Sequence, residues 1–252
     1  MTTTDTAVAQ HRARRTADGW RMAARGVGQL LITLGVVILL FVVYELWGTN
    51  FYTKAQQGDL RDQLRHDWAV SGPDISQINV ADVPIGSGLA VLRIPRFGRG
   101  YHIVVVEGTG YEDLKKGPGH YPGTALPGQV GNFAVAGHRT TYEAPFNRID
   151  TLRVGDAIVL ETKTMWFTYT VENLAAANGY PRVPYQEIVD PSDVAVAFPV
   201  PDQPNAGKKP TLRLLTFTSC NPKYSAAQRI VVHAQLTSKQ PKSDGPPPAL
   251  VG

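Results

Sequence analysis

The chain has 252 residues, 43% of them hydrophobic, enough for one sizeable core with additional segments; two domains of typical size are possible but not required. Its formal net charge is +4, and much of the excess sits at the N-terminus in Arg12, Arg14, Arg15, Arg21 and Arg25. A basic tail could bind nucleic acid, but the apolar run that follows it argues against that class of partner. A single cysteine, Cys220, excludes an internal disulfide.

Residues 1–25 read as a basic, cytoplasmic tail without apolar periodicity. From Gly26 to Tyr44 no side chain is charged. As a helix rising about 1.5 Å per residue, this run covers about the thickness of the bilayer hydrocarbon, so a transmembrane anchor is expected over residues 26–47. Arginines precede it, while Glu45 and the aromatic residues Tyr44, Trp47, Phe51 and Tyr52 follow it. That asymmetry predicts a single-pass protein of the cell membrane, with a cytoplasmic N-terminus and an extracytoplasmic remainder. A cleaved signal peptide is the alternative reading. The length of the run and the bulky sequence Tyr44-Glu-Leu-Trp47 favour an uncleaved anchor.

Residues 48–88 are expected to form a stalk and linker. Leu60, Leu64 and Trp68 recur at four-residue spacing, with Asp59, Arg61, Asp62, Arg65 and Asp67 on other faces. This is the pattern of an amphipathic helix, either packed on the domain or serving as a solvated spacer. Turn signals at Ser71-Gly-Pro-Asp74 and Ile85-Gly-Ser-Gly88 then close the linker.

From Leu89 the chain becomes a series of β-rich runs. They are Ala90–Ile94, His102–Val106, Asn132–Ala136, Ala157–Leu160, Met165–Val171, Leu212–Thr218 and Ile230–Leu236. Seven or eight strands with little helical pattern between them predict a mainly β fold over residues 89–238, a closed or nearly closed antiparallel barrel. The stretch Leu174–Pro210 is long and carries Pro181, Pro184, Pro191, Pro199, Pro201 and Pro204, with one weak apolar run over Val194–Val200. It is either a lid or substrate wall or a plain surface excursion. Residues 239–252 are polar and rich in proline, and are expected to be disordered.

Cys220 ends one β-run and Arg229 opens the next, joined by the short stretch Asn221–Gln228. If the two strands pair as antiparallel neighbours, both residues reach the same rim. A guanidinium there favours a thiolate or holds a developing oxyanion, although a surface ion pair at a strand edge would explain Arg229 as well. Of six histidines, His11 lies in the tail, His66 on the stalk, and His102 and His233 in strands. His120 and His138 remain, and His138 follows an apolar strand directly after Gly137, in a rim position suited to chemistry. No paired Cys/His spacing suggests a metal site, and no strand-to-helix phosphate loop is present, so no metal or cofactor is expected.

Thr216-Phe-Thr-Ser-Cys220 with Arg229, together with Gly131-Asn-Phe-Ala-Val-Ala-Gly-His-Arg139 and Lys116-Gly-Pro-Gly-His-Tyr-Pro-Gly-Thr-Ala-Leu-Pro-Gly128, resembles the sortases, bacterial cysteine transpeptidases that attach proteins to the cell wall. The resemblance covers about residues 89–236 and is greatest to class E, the housekeeping type of high-GC Gram-positive bacteria. It implies an eight-stranded barrel, Cys220 as nucleophile, His138 as general acid and base, and Arg229 as the cation that holds substrate and oxyanion. It further implies that Tyr121, His120, Ser219 and Thr216 border the substrate. The family signature Thr-Leu-x-Thr-Cys is met imperfectly, since Phe217 and Ser219 replace the leucine and the second threonine. Those swaps are expected to bear on the substrate groove. The implied substrates are proteins bearing a C-terminal Leu-Ala-x-Thr-Gly sorting signal, cleaved between Thr and Gly, and the implied acceptor is an amine on a lipid II-like peptidoglycan precursor. Competing readings are a surface cysteine protease and a non-catalytic, membrane-tethered wall-binding domain with a buried Cys220. A papain-like protease would carry its cysteine on a helix upstream of the histidine, the reverse of the order here.

Overall fold

The computed structural model describes residues 4–44, 49–176, 180–202 and 209–251. Glu45 and Trp47, expected to flank the membrane span, and Pro204 of the long loop lie outside them. The chain forms two compact units, residues 1–48 and 49–252.

In the first unit one helix, α1 (Thr4–Val43), runs without a break from the basic segment into the apolar one. Its stretch Trp20–Val43 is long and apolar enough to cross a membrane, and none of its most apolar window is buried against protein. The tail and the anchor are thus one helix. The expected border near residue 25 is a change of composition, not of backbone, and no proline interrupts it.

The second unit opens with α2 (Thr49–Ala69). Its buried stripe is Thr49, Thr53, Gln57, Leu60 and Leu64. The apolar half was expected from the leucine spacing, and the polar half was not. Leu60 and Leu64, with Trp68 beside them, pack on Val91, Val104 and Val106 of the sheet. Gln57 works differently. Its amide donates to the Val104 carbonyl at 3.0 Å and accepts from the Val104 N–H at 2.7 Å, so one side chain satisfies a backbone edge that no strand covers. Thr53 Oγ1 donates to the Lys115 carbonyl at 2.8 Å, extending the same seam.

Nine strands follow among the described residues: β1 (Gly88–Arg93), β2 (His102–Glu107), β3 (Gly119–His120), β4 (Gly131–Ala136), β5 (Ala157–Glu161), β6 (Met165–Val171), β7 (Gln186–Val189), β8 (Arg213–Asn221) and β9 (Gln228–Pro241). The order β6-β5-β1-β2-β3-β4-β8-β9, with β6 also paired to β9, closes eight of them into a barrel. β7 is a ninth strand, laid along the first half of the long β9 on the edge whose second half takes β6. Closure removes the exposed edges that an open sheet of this length would present. The interior holds alternate residues of each strand, among them Leu92, Val105, Phe133, Val135, Tyr169, Phe217 and Val232. Tyr169 is fully buried, and its hydroxyl accepts from the Gly128 N–H at 2.8 Å.

The excursion after β6 contributes β7, and its Leu174, Tyr180, Val183 and Val200 gather with Leu214 into a small core of their own. Two expectations need correction. The barrel is not wholly antiparallel, since β3 runs parallel to β2 and β8 parallel to β4. Nor is the stretch from 239 onward without order. β9 continues to Pro241, paired with Met165, and a short 3₁₀ turn (Lys242–Asp244) and helix (Pro248–Val251) follow. Lys242 Nζ lies 2.8 Å from Glu161 Oε1 and 4.2 Å from the centroid of the Trp68 ring. The segment is polar, but its backbone partners come from β6 and its cation has a carboxylate and an indole to rest on.

Replacing Gln57 with leucine keeps the size of the side chain but leaves both polar groups of Val104 buried and unpaired. Gln57→Leu is expected to cost about 2 kcal/mol of stability, measured by chemical denaturation of the otherwise unchanged protein. A midpoint equal to that of the parent would show that the seam carries no weight.

Candidate active site

Strand pairing alone brings three distant residues to one rim. β4 runs parallel to β8 with Ala136 opposite Thr218, and the Gly137 N–H continues the ladder by donating to the Thr218 carbonyl at 3.0 Å. The next residues on the two chains are Ser219 and His138, so the histidine emerges beside the end of β8. On the other edge β9 is antiparallel to β8, with Cys220 opposite Arg229. Side-chain alternation sets the face. Leu215, Phe217, Ile230 and Val232 point into the core, which turns Thr218, Cys220 and Arg229 to the outer wall.

There a cleft of about 240 Å³ is lined by Thr109, Tyr121, Ala136, His138, Thr218, Ser219, Cys220 and Arg229, among others. Cys220 is a free, half-buried thiol. Among the described residues the His138 Nε2 is buried without a hydrogen-bond partner, and the imidazole packs on the Tyr142 ring with centroids 4.9 Å apart. Burial pulls its pKa below the ordinary histidine value, so the ring is held neutral and can accept a proton. Arg229 is half-exposed, and its Nη1 donates to the carbonyls of Ala226 at 3.1 Å and Gln228 at 3.0 Å. Among the described residues no carboxylate lies within ion-pair distance of it, although Asp190, whose pKa is lowered chiefly by hydrogen bonds from Ser192, also feels its charge. Across the cleft the Tyr121 hydroxyl lies 2.9 Å from Thr218 Oγ1.

Two supporting residues escape sequence reasoning. Arg139, directly after the histidine, is 5% exposed, and its Nη1 donates to the Cys220 carbonyl at 3.1 Å and to Asn221 Oδ1 at 2.8 Å. Its Nη2 lies 3.2 Å from Asp150 Oδ1. One buried guanidinium thereby ties the histidine segment to the cysteine segment. The other is Gly137. A Cβ there would lie 2.5 Å from the Phe146 ring, which is itself wedged against Phe217 at 4.6 Å between centroids. Glycine is required because the aromatic pair approaches the backbone more closely than a methyl allows.

The remaining expected site residues divide. Tyr121 and Ser219 line the cleft, although the Ser219 hydroxyl is occupied by the Gly137 carbonyl at 2.7 Å. Thr216 and His120 do not reach it. Thr216 is fully buried beneath the 190–202 excursion, bonded to Asn132 Oδ1 at 2.8 Å and 2.9 Å from His233 Nδ1. His120 is fully buried too, its Nδ1 2.6 Å from Glu107 Oε2, with its ring stacked on Phe133. Both are structural polar groups whose partners are already assigned. Phe217 also faces the core, so its departure from the family signature alters packing behind the cleft and not the groove surface. Among the described residues no group of three metal-ligating side chains comes together.

A family model described as "Sortase domain" matches residues 92–237. The chain is 35% identical over 237 residues to sortase E1 of Streptomyces coelicolor, a match covering 91% of this chain and 62% of that protein. The chain therefore spans less than two thirds of the length of that relative. It is 34% identical over 238 residues to sortase E2 of the same organism, covering 89% of this chain and 87% of that one. The solved structure of sortase E from Streptomyces avermitilis superposes with a TM-score of 0.56 at 43% identity, covering 66% of this chain and 99% of the other.

Two outcomes follow from this geometry. Arg139→Met should lower stability by about 2 kcal/mol, because charge-assisted bonds to Cys220 and Asn221 vanish while the carbonyl they satisfied stays in place; denaturation with an unmoved midpoint would contradict the tie. The His138 imidazole, followed by NMR, should titrate below the roughly 6.5 of an unburied ring. Since its folded pKa is lowered, the unfolded chain binds the proton first. Stability is therefore lost as pH falls from about 6.5 toward the lower folded value. A midpoint at or above 6.5 would show that burial does not hold the ring neutral.

Proposed function

The chain belongs to the sortase family of cysteine transpeptidases, and from that premise we propose that it is a membrane-anchored, class E-like enzyme in which Cys220, His138 and Arg229 carry the reaction. The observation that supports this most is the convergence of those three side chains, two from strands β8 and β9 and one from the loop after β4, on one cleft.

In the proposed sequence His138, neutral in the resting protein, takes the Cys220 proton as the sulfur attacks the carbonyl between Thr and Gly of a Leu-Ala-x-Thr-Gly-like sorting signal. The tetrahedral oxyanion is met by the Arg229 guanidinium, which the carbonyls of Ala226 and Gln228 hold at the cleft edge. The C–N bond breaks, His138 returns its proton to the departing glycine amine, and a thioester remains on Cys220. An amine on a lipid II-like cell-wall precursor then attacks the thioester and loses its proton to His138. The C–S bond breaks, and Cys220 is protonated again. Tyr121 and Ser219 border the path of the signal peptide. The apolar part of α1 anchors the chain in the membrane, with the N-terminus cytoplasmic and the barrel outside, where such precursors are displayed.

Incubation of the purified protein with a Leu-Ala-x-Thr-Gly peptide and an amine, followed by mass analysis, separates transfer, hydrolysis and inertness. Transfer product is expected from the parent protein. Arg229→Lys keeps the charge but loses the planar fork, and should lower turnover at least about 100-fold with folding intact. Near-parental rates from that variant would remove Arg229 from the mechanism.

A further inference from the structure

The loop that carries His138 is held in an unfavourable conformation by a part of the chain far away in sequence. Tyr142, Glu143 and Ala144 have φ values of 53°, 61° and 43°, three successive non-glycine residues in the left-handed region. Each brings its Cβ close to the neighbouring carbonyl there, so such a run persists only when its surroundings fix it. Part of the fixing is internal: the Ala144 N–H donates to the Thr141 carbonyl at 2.8 Å, and the Phe146 N–H to the His138 carbonyl at 3.0 Å.

The rest comes from α2. Asn50 Oδ1, in its first turn, accepts from the Glu143 N–H at 2.7 Å. One turn on, Lys54 Nζ lies 3.9 Å from Glu143 Oε1. α2 can act as a rigid support because Thr53 and Gln57 bind it to the backbone of the Lys115 segment and of β2. On the other side of the loop the Tyr142 ring packs against the His138 imidazole, and its hydroxyl lies 3.3 Å from that of Tyr111. Contacts thus run without a gap from Asn50 through the Glu143 backbone and the Tyr142 ring to His138.

We propose that the first turn of α2 is a clasp on the left-handed loop 142–144, and that Asn50 is a positioning residue that sets the His138 imidazole in the cleft through Glu143 and Tyr142. The inference rests on the reading of His138 as the acid and base. Asn50 touches neither the thiol nor the substrate; it acts by fixing one backbone N–H in a segment that would otherwise relax. The Lys54–Glu143 pair contributes little by comparison, since the ammonium is largely exposed and the contact is long.

The test uses the full chain in detergent with Asn50→Ala, Asn50→Asp and Lys54→Ala. It reads the kcat and KM for peptide-to-amine transfer, the thermal midpoint, and the ring C–H signal of His138 in histidine-labelled protein, assigned by its loss in His138→Gln. Asn50→Ala should lower kcat about tenfold with KM within about twofold, move the midpoint by less than about 3 °C, and shift or broaden the His138 signal. Asn50→Asp keeps an acceptor oxygen and should recover most of the loss, while Lys54→Ala should stay within about twofold of the parent. Parental kcat with an unmoved His138 signal in Asn50→Ala overturns the clasp. So does a loss of activity that follows the melting midpoint while the signal is unchanged, or an equal effect from Lys54→Ala. If the parent protein transfers nothing, the proposed function fails, and the His138 signal alone decides the clasp: a shift in Asn50→Ala supports it and no shift overturns it.

Discussion

The structure depends on β8 being hydrogen-bonded along both edges almost to its last residue. β4 lies parallel on one side as far as Thr218, and β9 lies antiparallel on the other as far as Asn221. A strand held on both sides has no freedom to slip, since a shift of one residue would turn Phe217 out of the core and Cys220 into it. The position of the thiol is therefore fixed by the packing of the whole barrel. The parallel neighbour delivers His138 and the antiparallel neighbour delivers Arg229. Neither could be brought to this rim by local sequence alone.

Buried polar side chains hold several of the backbone segments around that strand. Arg139 reaches from the histidine segment to the Cys220 carbonyl, and Gln57 stands in for a missing strand beside Val104. Asn132, Thr216, His233 and Glu187 form a further chain of hydrogen bonds beneath the 190–202 excursion. Each is directional, so each fixes a geometry that hydrophobic contact would leave loose. In the cleft the His138 Nε2 is buried without a hydrogen-bond partner among the described residues, and so is the Nε of Arg139 behind it.

Much of this was legible in the sequence, for identifiable reasons. β-Branched and aromatic runs marked β1, β2, β4, β5, β6, β8 and β9, and the short link between β8 and β9 was enough to bring Cys220 and Arg229 together. β3 and β7 were not legible, because two and four residues are too few to show a period. The segment after residue 238 was misjudged from composition, which says nothing about a backbone partner supplied by β6. The resemblance implied His120 and Thr216 at the substrate, yet His120 turns from the cleft to stack on Phe133, and Thr216, on the same face as Cys220, is covered by Asn132 and His233. Arg139 stood in the quoted motif, but its role required knowing that Cys220 lies beside it in space.

Cys220, presented at this rim, is proposed to be the nucleophile that takes up the acyl group. The most direct measurement is the intact mass of the protein after exposure to a Leu-Ala-x-Thr-Gly peptide with no amine present. A mass increase equal to the acyl portion of the peptide ending in threonine is expected, released by hydroxylamine as a thioester should be, and absent from Cys220→Ala. Continued peptide cleavage by Cys220→Ala, or an adduct that persists in it, would contradict the account.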